Sequence, residues 1–161
     1  METLFTVVGI VLSVIIIYFG IKEYIKLKND RRLIESTLSN DDKETDDLRI
    51  KSMSAVNVFV DFGSEFDYCK FHFTQEECYL YLRYSYPTNI YNGPFVIKSE
   101  FLNKYSYLST FYIKKLEVKN NNEISICIKN KMFIGTKFNL NLTSISKSDL
   151  DLIMRNLSIK S

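Results

Sequence analysis

The sequence predicts one membrane-spanning helix followed by a mainly-β domain of about seven strands, closed by a C-terminal amphipathic helix. Three observations carry this reading. Leu4 to Ile21 holds eighteen residues without a charge. From Ala55 onward, apolar residues recur with a period of two. Near Ser146 the period changes to that of a helix. A chain of 161 residues has room for one domain plus a segment outside it. The boundaries fall at 1–21 for the anchor, 22–53 for a charged helical stalk and acidic linker, and 54–161 for the β domain. With 11 Tyr and 12 Phe against 5 Gly, the composition suits strands and leaves little material for a nucleotide-binding loop. A net charge of +2 gives no general attraction to nucleic acid.

At 1.5 Å per residue the apolar run spans about 27 Å, close to the hydrocarbon thickness of a bilayer. Thr6 and Ser13 can bond back to helix carbonyls, and Tyr18 lies near one end, where an amphipathic ring favours the interface. A cleaved signal peptide fits poorly. Met1-Glu2-Thr3 carries no cationic side chain, and Lys22 and Glu23 stand where small residues should precede cleavage. Lys22, Lys26, Lys28, Arg31 and Arg32 follow the run and none precedes it. Because Lys and Arg are retained on the cytoplasmic side, the N-terminus is expected outside and the domain in the cytoplasm. The basic stretch KEYIKLKNDRRLIE should continue the helix out of the membrane. SNDDKETDD at 39–47, with five acids and no large apolar residue, should be a mobile, solvated linker.

In the domain, Val56, Val58, Val60 and Phe62 alternate as a half-buried strand. YCKFHF-TQEE-CYLYLR reads as a hairpin with Thr74–Glu77 as its loop. Phe73 then faces Cys78, Phe71 faces Leu80 and Cys69 faces Leu82, all apolar. His72–Tyr79, Lys70–Tyr81 and Tyr68–Arg83 fall on the solvent side, the last two with cation–π potential. One register makes both faces consistent. Asn92-Gly93-Pro94 reads as a turn into Phe95-Val96-Ile97. Strands around Thr110–Val118 and Glu123–Lys129 are joined by Lys119–Asn122. Met132–Leu142 forms another, with Gly135 marking a bulge. SKSDLDLIMRNL ends the chain as a helix, with Ser146 or Ser148 as N-cap and Leu150, Ile153, Met154 and Leu157 on its apolar stripe.

The segment HFTQEECYLYLRYSYPTNIYNGPFVIKSEFL, in which a hydrophobic strand precedes the proline-led Pro94-Phe95-Val96-Ile97, resembles bacterial pleckstrin-homology-like and GRAM-like domains. The resemblance covers residues 55–158 and rests on element order and that pattern. It implies a bent β-barrel whose C-terminal helix plugs one end, often behind an N-terminal membrane helix. No phosphoinositide motif is recognisable, so it implies no ligand.

Catalysis is not expected. One His and three Cys, without C-x-x-C spacing, make no metal or nucleophile kit. Cys69 and Cys78 read as small core residues, Glu76 and Glu77 as turn decoration. No cofactor is implied. Two candidate surfaces remain. Lys104, Lys114, Lys115, Lys119, Lys129, Lys131 and Lys137 stand against Glu117 and Glu123 and could face anionic lipid or an acidic partner, or simply protect strand edges. Tyr79, Tyr81, Tyr84, Tyr86 and Tyr91 suit a protein interface. The expected function is a membrane-tethered, non-enzymatic interaction module that binds a protein partner or the anionic inner leaflet. The alternative is a small membrane-anchored immunity protein that blocks a toxin.

Overall fold

The computed structural model describes residues 2–39, 41–56, 61–63, 66–75, 77–86, 89–97, 104–106, 109–130 and 136–157. The chain begins with one continuous helix, α1 (Glu2–Thr37). At 1.5 Å per residue it is about 54 Å long, nearly twice what a bilayer core requires. It is long and apolar enough to cross a membrane, and none of its most apolar window is buried against the rest of the chain. Its other half behaves differently. Asp30 and Ile34 are buried, because they pack against the β domain.

Among the described residues nine strands follow: β1 (Lys43–Glu44), β2 (Leu48–Val56), β3 (Asp61–Gly63), β4 (Tyr68–Phe73), β5 (Cys78–Arg83), β6 (Tyr91–Ile97), β7 (Thr110–Asn120), β8 (Glu123–Asn130) and β9 (Lys137–Thr143). They form one sheet in the order β1-β4-β5-β6-β7-β8-β9-β2-β3, and an extra β4–β2 pairing returns the sheet on itself. The ring therefore runs through seven strands, with β1 and β3 as short additions. Two seams are thin. β2 meets β4 only at Leu48↔Cys69 and Arg49↔Tyr68, and β6 meets β7 only at Val96↔Thr110 and Ile97↔Phe111. The second seam is parallel, and twelve residues, 98–109, separate its two strands in sequence.

The hairpin register read from the sequence is the observed one in all six pairs, from Phe73↔Cys78 to Tyr68↔Arg83. Inward residues of β4, β5, β8 and β9 join Met53, Ile97 and Phe111 in one core. That core is filled: the void among Met53, Leu80, Phe95, Phe111 and Phe138 is about 10 Å³. The last helix, α2 (Lys147–Leu157), adds Ile153 and Leu157, each no more than 1% exposed, with Leu150 and Met154 half-buried. Ser146 is its cap. The Ser146 hydroxyl accepts the Asp149 N–H at 3.1 Å, an N-cap bond, and donates to the Asp149 carboxylate at 2.7 Å.

Three sequence expectations change. Asn92-Gly93-Pro94 is not a turn but part of β6, with a cis Gly93–Pro94 bond. Gly93 has φ +120°, and a Cβ there would lie 2.8 Å from the Leu80 carbonyl oxygen, so the close approach of β5 requires glycine. The Val56–Phe62 alternation is not one strand. β2 ends at Val56, and Phe62 pairs back to Ala55 from β3; Val58 and Val60 lie outside the described residues. β2 also starts earlier than expected, at Leu48. A register shift between Ile50 and Ser52 moves the inward set from Leu48 and Ile50 to Met53 and Ala55, which breaks the period of two. The expected bulge at Gly135 lies outside the described residues.

Candidate functional surfaces

The barrel has two outer faces, and the chain treats them differently. On β4–β5–β6 the outward side chains include His72, Tyr79, Tyr81 and Val96. The second half of α1 lies over Tyr79 and Val96, with Tyr81 at its margin, and the acidic stretch lies over His72. Ile34 packs with Tyr79, Val96 and Tyr105, and Leu38 and Tyr81 join at the margin, forming a second apolar cluster outside the barrel. The contact residues Glu23, Lys26, Asp30 and Ile34 recur at helical spacing, so one stripe of α1 meets the sheet.

Polar bonds fix the register of this contact. The Ser106 backbone N–H donates to the Asp30 carboxylate, and its hydroxyl donates to Glu23 at 2.7 Å. Lys26 Nζ donates to the Tyr105 carbonyl at 2.9 Å. Beneath them, the hydroxyls of Tyr79 and Tyr105 both donate to Glu77 Oε2, at 2.5 and 2.6 Å. Glu77 is therefore a buried acceptor and not turn decoration. Burial and the Glu77 carboxylate push both phenols above the ordinary tyrosine range. Lys104 Nζ lies 3.6 Å from Glu77 and over the Tyr105 ring, which takes it out of any open lysine surface. A cleft of about 680 Å³ opens beside this group, between Thr37, Asp42, Thr74 and Lys104.

The acidic stretch is also engaged, contrary to the mobile linker expected. Thr45 is buried and exchanges bonds with the Phe71 backbone at 2.9 and 3.0 Å. β1 pairs with β4, Asp42 and Glu44 lie 3.2 and 3.5 Å from the two His72 ring nitrogens, and Asp47 meets Arg83 at 2.6 Å. His72 and Tyr79 are thus not solvent-facing; they are 8% and 2% exposed. Bonds from the Ser39 backbone and then His72 hold Asp42 below the usual carboxylate range, and Lys70 does the same for Glu44. The reason is partnership. A charged run that finds complementary bases and a free strand edge no longer has to remain solvated.

The tyrosine set does not form one surface. Tyr79 is buried under α1. Tyr81 and Tyr91 meet edge to face at 6.2 Å, and burial pushes each up to about 12. Tyr84 stacks on Phe66 at 4.2 Å. Tyr86 alone of the five is fully out, at 85% exposure. Arg83 lies over the Tyr68 ring at 4.6 Å, whereas Lys70 pairs with Glu44 at 2.7 Å instead of with Tyr81.

The outer face of β7, β8, β9 and β2 carries no such cover among the described residues. Its middle is built of small polar side chains in a hydrogen-bonded ladder: Asn139 to Ser54 at 3.1 Å, Asn141 to Ser52 at 2.9 Å and Ser125 to Asn141 at 2.8 Å. A depression of about 620 Å³ lies there, lined by Lys114, Lys115, Glu117, Cys127, Lys137 and Asn139. Lys129 and Lys137 stand directly opposite each other, and neither has an ion pair among the described residues. Lys115 is paired with Glu117 at 2.7 Å, and Lys119 donates to Asn141 at 3.0 Å. Five of the seven lysines thus gather on this half. Lys104 belongs to the covered half, and Lys131 lies outside the described residues.

Sequence reading missed Glu23, Asp30, Glu77, Tyr105 and Ser106. The stripe Glu23, Lys26, Asp30, Ile34 was the available signal, but it is mostly polar and does not look like a packing face. Among the described residues, no group of three or more His, Cys, Asp or Glu side chains is arranged to hold a metal ion. Compared with protein-family models, curated proteins and solved structures, the chain matches none of them.

Proposed function

We propose that this chain is a membrane-held, non-enzymatic interaction module of pleckstrin-homology-like architecture, facing the cytoplasm and offering the open half of its barrel to a protein partner. The observation that carries the reading is the contrast between the two outer faces. One is covered by the chain's own anchor helix, and the other is a floor of small polar residues rimmed by lysines, without cover among the described residues. Because the barrel interior is filled, the outer surface is where recognition has room. A seven-strand ring with a C-terminal helix in its core supports the architecture. Lys22, Lys28, Arg31 and Arg32 remain exposed just beyond the apolar half of α1, in keeping with a cytoplasmic domain.

A protein is favoured over the inner leaflet by the course of the strands. Asn92–Phe95 of β6 line a groove with Tyr24–Arg31, and Val96 meets Ile34 further along α1, so β6 runs away from the span. β7 starts beside the end of β6 and runs parallel to it, which carries Lys114, Lys115 and Lys119 away from the leaflet. Lipid attraction fades within a Debye length of about 8–10 Å. The test is a photo-crosslinking residue at Lys137 or Cys127 in the full chain, in native membranes. A discrete protein adduct, lost when Lys114, Lys115 and Lys129 are changed to Glu, is the expected result. Lipid adducts alone would overturn the reading. Activity of a periplasmic reporter, and silence of a cytoplasmic one, fused after Ser161 would overturn the orientation.

A further inference from the structure

Strands lose their partners where the ring is thin. At the β2–β4 seam the diverging ends are both covered, since β1 pairs with β4 and β3 pairs with β2. At the β6–β7 seam they are not. β7 pairs with β8 along its whole length, but on its other side only Thr110 and Phe111 meet β6. From Tyr112 to Asn120 the β7 edge has no strand beside it among the described residues. A row of backbone N–H and C=O groups on an exposed edge is a template for another strand.

The side chains say what kind. Register shifts after Ile113 and Val118 leave Lys114 and Lys119 as extra residues on β7; between them Lys115 pairs with the exposed Glu117, so the stretch keeps a net positive charge. On the inward side Leu116 is half-buried and Val118 is 45% exposed, so the core is incompletely covered where the ring splays. A second copy of this chain is a poor occupant. Edge against edge, the lysines of both copies would crowd together, and like charges across a strand pair are destabilising. An incoming strand that places carboxylates beside those lysines and small apolar residues over Leu116 and Val118 meets neither penalty.

We infer that the β7 edge, Tyr112–Asn120, takes an extended partner segment alternating acidic and apolar residues, by strand addition. This rests on the module reading above and names where and how that module binds. The lysines then exclude wrong strands and select the right one by the same charge.

The test uses the full chain in phosphatidylcholine nanodiscs. The probes are a nine-residue peptide alternating Glu and Val, its Gln–Val counterpart, and the Glu–Val peptide N-methylated on alternate amides. The Glu–Val peptide should bind, should slow hydrogen exchange across Tyr112–Asn120, and should weaken at high salt. The Gln–Val and N-methylated peptides should each bind at least about tenfold more weakly, through loss of charge pairing and of main-chain bonds respectively. Lys114→Gln with Lys119→Gln should weaken the Glu–Val peptide and leave the thermal transition in place. Equal binding of the N-methylated peptide would mean charge attraction without strand addition and would overturn the inference. So would equal binding of the Gln–Val peptide, protection outside β7, or concentration-dependent dimers protected at β7 without peptide. Failure of every peptide also overturns it; a protein adduct from Lys137 or Cys127 would then still stand for the module, and its absence would remove both readings.

Discussion

The two outer faces of this barrel are built on the same alternating pattern and end in opposite states. On β4–β6 the outward residues are amphipathic rings and an aliphatic side chain: Tyr79, Tyr81, His72 and Val96. On β8, β9 and β2 they are small and hydrogen-bonding: Ser125, Cys127, Asn139, Asn141, Ser52 and Ser54. The first set buries enough ring and aliphatic surface to hold a helix, and Ile34 contributes about 1.5–3 kcal/mol of that by its own burial. The second set satisfies its polar atoms within the sheet and leaves nothing apolar to cover. An aromatic outer face on a small barrel is therefore a surface prepared for a partner, and here the partner is in the same chain.

Truncation should have the largest effect. A chain beginning at Met53 lacks Leu48 and Ile50 of the core, the β2–β4 seam and the whole helix cover. It should be unfolded by circular dichroism, whereas one beginning at Lys22 should show a cooperative thermal transition. Next come single cavities. Ile34→Ala on the covered face and Ile153→Ala in the interior should each cost about 2–5 kcal/mol in denaturant titration, while Ser125→Ala on the open face should stay within about 0.5 kcal/mol. Equal tolerance of Ile34→Ala and Ser125→Ala would mean that the helix is not docked.

Glu77→Gln weakens two hydroxyl bonds in the covered face and should cost about 1–3 kcal/mol. Acid should act on the same face through the docked acidic stretch. Asp42 and Glu44 are depressed below their ordinary values, so their contribution is complete above the usual carboxylate range and is lost as pH falls through the depressed values. Faster amide exchange at Lys43–Thr45 below about pH 4, with β8 and β9 still protected, is the expected sign. Exchange that accelerates evenly across all strands would remove the distinction. The smallest effect belongs to the open face. Lys137→Gln relieves the like-charge pair with Lys129 and should stabilise by roughly 0.2–1 kcal/mol, the reverse of a change under the helix.

Much of this was legible in the residues. The uncharged run gave the apolar helix, and the apolar and amphipathic pairings of YCKFHF and CYLYLR gave the hairpin register without error, because a slip of one residue would have put Phe71 and Leu80 on the wrong face. Ser146 and the Leu150–Leu157 stripe gave the last helix. The start of β2 was not legible, since the shift at Ile50/Ser52 moves its core residues from one parity to the other. β6 was misread at Gly93-Pro94, because those residues usually signal a turn and only the nearness of the Leu80 carbonyl shows why they stand inside a strand. The site was less legible still, since a buried Glu77 and an exposed one look alike in a sequence.

By itself the sequence determined what local period and composition determine: the two helices, the register of the β4–β5 hairpin and which of its faces is apolar. Only the tertiary structure decided which outer face α1 covers and which strand edge lacks a partner among the described residues. Those depend on where a mostly polar helix stripe meets Tyr105 and Ser106, 76 residues further along from Asp30. Contacts at such separation leave no periodicity in the chain, because complementarity in space is not ordered along it.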